Sequence, residues 1–185
     1  MNLTLQQKFV LNEVKSFVEG EESVFILRGY AGTGKTTMIK AIADAITHGE
    51  FGSYSKVELM APTGRAAKVL SDKSGYEAKT IHRSIYHLKQ TVSKDEDDVS
   101  NLDYKIVFSV READDKRIII VDEASMVCSR KMTQEMYVFG TDNLMEDLLT
   151  YGGFNDRCKI IFVGDPAQLP PVGEPISNAL SPAFL

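Results

Sequence analysis

The sequence is poor in the features that mark several classes of protein. Long apolar runs are missing: nothing approaches the ~18 residues a membrane helix needs, so no membrane span is expected. The N-terminus has no positively charged, then apolar, leader. Cysteine is scarce, and the two present, Cys128 and Cys158, lack metal-ligand spacing. Each lies beside an apolar segment, which suits reduced, part-buried thiols of a cytoplasmic protein. Positive charge is in deficit, with 21 Lys and Arg against 26 Asp and Glu and a formal net charge of -5. That argues against broad coating of nucleic acid and leaves room for one local DNA track. No internal repeat is visible. The 185 residues, 43% hydrophobic and 25% charged, suit one globular domain of ordinary size.

What the sequence does hold is the run Gly29-Tyr30-Ala31-Gly32-Thr33-Gly34-Lys35-Thr36-Thr37. It matches without a mismatch the phosphate-loop pattern GxxxxGK followed by Ser or Thr. Its context fits as well: the apolar run 24–27 reads as a buried strand before it, and 36–46 reads as a helix after it. Backbone N–H groups of such a loop point at phosphate oxygens, and the helix N-terminus adds favourable potential. Lys35 is then placed for the β/γ-phosphates of ATP and the Thr36 hydroxyl for Mg²⁺.

The remaining chain alternates strands and helices. A helix is expected from Thr4, with Gln7 completing a capping box, to Gly20. Strands are expected at 56–61, 117–121 and 159–163, with a short segment near Ala78. Helices are expected through 65–70, from Thr80 to about His87, over 129–139 and over 142–151. Strands that are apolar throughout imply an α/β fold with a parallel sheet covered on both faces. Residues 89–116 differ: an acidic run, a strand at 104–110 and a polar turn suggest an inserted hairpin or a loop.

Asp122 and Glu123 follow the apolar strand 117–121. Asp122 is placed for the Mg²⁺ shell and Glu123 for general-base activation of water. Gln168 follows the last strand, where a neutral amide can bond the γ-phosphate or the attacking water.

Taken in order, six segments carry a resemblance: 3–7, 29–37, 61–67, Thr80-Ile81-His82-Arg83, 121–126 and 164–172, the last ending Leu169-Pro170-Pro171-Val172. The chain resembles the N-terminal motor domain of superfamily 1 DNA helicases, of the RecD-like and Dda-like branch, over nearly its whole length. The resemblance implies a RecA-like P-loop NTPase fold, ATP and Mg²⁺ as cofactors, and single-stranded DNA as partner, with translocation usually 5′→3′. It implies Gln7 as adenine reader, a nucleotide cradle of Gly29, Ala31, Gly32, Thr33, Gly34, Lys35, Thr36 and Thr37, and DNA contacts by Pro62, Thr63, Arg65, Thr80 and His82. Thr63 and Thr80 are equally good helix N-caps, and His82 is equally readable as a part-buried histidine. A hairpin within 89–116 stands where relatives carry a strand-splitting pin, although its acidic run repels phosphate. The second RecA-like domain of such enzymes, with its arginine finger, is not in this sequence. The expectation is slow hydrolysis and no duplex unwinding by these residues alone.

Overall fold

The computed structural model describes residues 3–93, 104–113, 115–153 and 158–184. The acidic run 94–98 lies outside the described residues. Among those described, five strands form one parallel sheet in the order β1-β8-β6-β2-β3. They are β1 (Val24–Arg28), β2 (Lys56–Ala61), β3 (Ala78–Thr80), β6 (Arg117–Val121) and β8 (Cys158–Gly164).

Alternation along the central strands sorts the core. Ile118 and Ile120 of β6 and Ile161 and Val163 of β8 point to one face, with α1 (Leu5–Glu19), α2 (Lys35–Thr47) and α3 (Gly64–Ser74). Ile119, Val121, Ile160 and Phe162 point to the other, with α4 (Ile81–Ile85) and α5 (Leu144–Gly152). Strands buried on both faces read as near-continuous apolar runs, as 118–121 and 160–163 do.

Two anchors orient the first helix. Thr4 and Gln7 form the expected capping box. At the far end the buried Lys159 of β8 donates to the carbonyls of Phe17, Gly20 and Glu22 at 2.8, 2.8 and 2.7 Å. A cation thus satisfies carbonyls that a helix end leaves without partners.

A second sheet has the order β4-β5-β7. β4 (Tyr86–Ser93) and β5 (Tyr104–Val110) pair antiparallel, so the hairpin expected within 89–116 starts three residues before that range. The helix expected to reach His87 stops at Ile85, because Tyr86 is already paired with Val110. The helix expected over 129–139 is absent. Tyr137–Phe139 is β7, parallel to β5, and 127–134 is an extended loop. Apolar residues at helix-like spacing there serve a strand pairing instead, a case of tertiary contacts overriding local pattern.

No helix of the described residues is long and apolar enough to cross a membrane. Both cysteines are free thiols, Cys158 buried and Cys128 half-buried.

Candidate active site

The carboxyl ends of β1, β6 and β8 meet at one cleft, as open parallel sheets arrange their ligand sites. The chain leaves β1 through the loop 29–34. Gly29 N–H donates to Gly164 O at 3.0 Å and stitches the loop to the end of β8. Gly34, at φ +88°, turns the backbone into α2 without a side-chain cap, so the first N–H groups of α2 stay available. Gln7 Nε2 would lie 2.9 Å from a Cβ added there.

Lys35 lies across the mouth of this loop. Its ammonium donates to Gly29 O at 2.7 Å and Tyr30 O at 3.1 Å, and stands 3.9 Å from the buried Asp165 carboxylate. With Thr36, Thr37, Asp122, Glu123 and Gln168 it lines a cavity of about 580 Å³. Ala31, Gly32 and Gly34 complete the loop side of that cavity. The geometry thus brings together nearly all the phosphate-side residues read from the sequence.

Asp122 is fixed by its own N–H, which donates to Met60 O at 2.9 Å. Burial and the neighbouring Glu123 charge raise its carboxyl above the usual range, and Lys35 offsets this in part. Thr36 and Asp122 on one cavity wall supply the hard oxygen donors Mg²⁺ prefers, so the donor set fits that ion. Among the described residues no cluster of three His, Cys, Asp or Glu forms an all-protein metal cage. An ion held by a hydroxyl, a carboxylate, substrate and water needs none.

Glu123 is held at φ +51°, a left-handed conformation a side chain enters at a cost of about 1–2 kcal/mol. Its Oε2 is buried and has no hydrogen-bond partner among the described residues. Gln168, on the loop after β8, accepts a hydrogen bond from Ser125 Oγ at 2.6 Å through Oε1.

Beside this cavity lies a second, also about 580 Å³, lined by Thr4, Gln7, Val10, Tyr30, Met38 and Pro166 and sharing Lys35 with the first. It is more apolar, with Thr33 on its wall, and suits the flat ring of a base. Gln7 Oε1 is taken by Thr4 N–H at 3.0 Å, which leaves its amide N–H groups to face outward.

The candidate DNA residues sit at the same carboxyl edge of the sheet, after the neighbouring strands β2 and β3. Ala61 pairs with Thr80 in register, so the turn Pro62-Thr63 and Thr80 are neighbours. Thr63 Oγ1 accepts from Ala66 N–H and Thr80 Oγ1 from Arg83 N–H, each at 3.2 Å. Both threonines are therefore helix caps in this structure. Arg65 is exposed. His82 is exposed at its outer edge while its ring leans on Tyr86 and, edge-on, on Phe139 at 5.3 Å, and this partial burial lowers its pKa.

Sequence reasoning gave no role to Lys40, Lys73 or Ser125, which the structure puts on or against the phosphate cavity. Lys40 was findable: it lies four residues after Thr36 on the same helix face. Lys73 arrives from α3, and no local signal announces it.

A family model described as "AAA domain" matches residues 3–180. The chain is 33% identical over 189 residues to the ATP-dependent DNA helicase dda of Enterobacteria phage T4, covering 99% of this chain and 36% of that protein. It is 32% identical over 147 residues to the ATP-dependent RecD2 DNA helicase of Deinococcus radiodurans, covering 80% of this chain and 16% of that one. A chain from a structure of two coordinating Pif1 helicases at forked dsDNA matches all of this chain and 38% of itself, with TM-score 0.53 and 20% identity. That likeness shows the RecA-like fold. The chain thus spans little more than a third, or less, of the proteins it matches. It belongs to the AAA domain family and, within it, to the RecD-like and Dda-like branch of superfamily 1 helicases.

Proposed function

We propose that this domain is the ATP-binding and hydrolysing half of a DNA helicase that translocates 5′→3′ on single-stranded DNA. The observation that carries the reading is the convergence of Lys35, Thr36, Asp122, Glu123 and Gln168 on one cavity, with a buried, unpartnered carboxylate oxygen among them. Lys35 exchanges two loop carbonyls for the β/γ-phosphates, and the loop N–H groups of 29–34 and the start of α2 bind the rest. Gln7 reads the base from the adjoining cavity. Thr36 and Asp122 would hold Mg²⁺, which would supply charge neutralisation for the phosphates. Glu123 Oε2 accepts a proton from the attacking water, and Gln168 senses the terminal phosphate.

Single-stranded DNA is assigned to Pro62, Thr63, Arg65, Thr80 and His82. A capped helix start still offers N–H groups to a phosphate, and His82 offers a ring to a base. No arginine lines the phosphate cavity among the described residues. Hydrolysis by this chain alone is therefore slow, and unwinding requires a second RecA-like domain as partner.

The test is ATP turnover by the full-length gene product with and without single-stranded DNA, with the 185-residue chain and a Glu123→Gln variant as controls. Strong DNA stimulation, lost in both controls, is expected. ATP binding with no DNA-stimulated turnover would favour a nucleotide-gated binding module and remove the DNA roles of the five residues.

A further inference from the structure

Gln168 is exposed on a loop, where such a side chain samples many rotamers. One contact restrains it. Ser125 Oγ–H donates to Gln168 Oε1 at 2.6 Å, and Ser125 itself is fully buried in the short turn after Glu123. The turn is backed closely by β8: a Cβ added at Gly164 would lie 3.2 Å from Ser125 N. With the hydroxyl hydrogen given to Oε1, the Nε2 end of the amide is directed away from Ser125. Nε2 and its two N–H groups remain for the cavity that Gln168 lines. Across that cavity Glu123 carries a buried oxygen that needs a donor. A donor on one side and an acceptor on the other fit a terminal phosphate oxygen and a water between them.

A second tie joins the same two loops. The buried Glu174 accepts Ser129 N–H at 2.7 Å and Cys128 Sγ–H at 3.1 Å, and Arg130 donates to Gly173 O. The segments after β6 and after β8 are thereby held as one unit, Gln168 being part of the first tie and Glu174 the centre of the second.

We infer that Ser125 is a positioning residue, whose buried hydroxyl holds the Gln168 amide with its N–H groups, not its oxygen, toward the terminal phosphate. This rests on the nucleotide-hydrolysis reading above. With the hydroxyl gone, the amide is free to turn its oxygen to the phosphate, where like partial charges repel.

The experiment measures kcat and KM for ATP in the full-length protein with DNA, for Ser125→Ala, Gln168→Ala and the double variant. Ser125→Ala is expected to lower kcat about tenfold with nucleotide KM within about twofold, and to add nothing in the Gln168→Ala background. Ser125→Cys, which keeps a weak donor, is expected to recover part of the loss. Unchanged kcat in Ser125→Ala, or a full second loss in the double variant, would overturn the inference. Should Ser125→Ala fail to melt cooperatively, Gln168→Glu decides. It keeps the serine bond but aims a carboxylate oxygen at the phosphate, so it must fall below Gln168→Ala, and equal activity overturns the inference. A wild type with no turnover sensitive to Glu123→Gln sinks the hydrolysis reading itself. A normal wild type beside an indifferent Ser125→Ala sinks the positioning role alone.

Discussion

Two regions of the molecule treat their polar groups differently. At the phosphate site, groups are held ready and incomplete: Glu123 is strained with an unpartnered oxygen, and Asp122 is half-buried beside a second acid. Around the starts of α3 and α4 and the first turn of α5 most polar groups are met, the buried Ser84 Oγ of α4 being an exception. Thr63 and Thr80 cap helices, and the fully buried Asp147 accepts from Tyr86 Oη at 2.5 Å and Thr141 N–H at 3.0 Å. Burial and that carboxylate push the Tyr86 hydroxyl's pKa far upward, so it stays a donor. A strained backbone and an unmet oxygen on a cavity wall suit a place where a ligand completes the structure, whereas the capped threonines and the paired Asp147 suit places where the structure supports itself.

The largest effect that would break this comparison concerns Glu123. Glu123→Gln is expected to cut DNA-stimulated turnover by about 10²–10⁴ while a fluorescent ATP analogue still binds. Glu123→Gly should end turnover yet raise stability by about 1 kcal/mol in denaturant titration, because glycine adopts the positive φ freely. A destabilised glycine variant would show that the conformation is not strained. Next in size, Asp147→Ala orphans two buried donors and should cost about 3 kcal/mol of unfolding free energy, with ATP affinity little changed. A large loss of ATP affinity would mean that the two regions are coupled.

Smaller effects sharpen the contrast. Thr63→Ala and Thr80→Ala should each cost about 1 kcal/mol as lost caps. If they also contact DNA, fluorescence anisotropy will show weaker binding at equal folded fraction, and unchanged affinity leaves them as caps alone. The smallest effect is a pH dependence. The folded-state pKa of Asp122 is raised from 3.8, so the native state favours its protonated form. That contribution is present below 3.8 and is lost as pH rises through the raised value. Asp122→Asn, neutral throughout, should therefore gain stability over wild type as pH climbs through this window. Adding Mg²⁺ and nucleotide should return the advantage to wild type.

Much of the phosphate side was legible because its chemistry is local. A loop of fixed spacing, a lysine and a threonine at a helix start, and acids after an apolar strand are each contiguous in sequence. The parallel sheet was legible from strands such as Arg117–Val121, whose run 118–121 is apolar throughout because both faces are covered. The second sheet was less so. β7 is three residues long and is defined by its partner β5, 31 positions earlier, not by its own pattern. Its aromatic residues join a cluster in which Phe139 stacks on Phe108 at 4.7 Å, a long-range contact that outweighs the helical spacing of residues 129–139. The Ser125–Gln168 bond spans 43 residues and was invisible for the same reason.

The grip of Lys159 on the end of α1 has a mechanical consequence. A helix of 15 residues is about 22 Å long, and this one is bolted to the sheet at its far end by three hydrogen bonds. Its near end, with Gln7, forms one wall of the apolar cavity. The helix is thus a cantilever: a tilt of about 5° at the bolt would move its tip by about 2 Å, so the place of that cavity wall is set largely by how firmly Lys159 holds the far end.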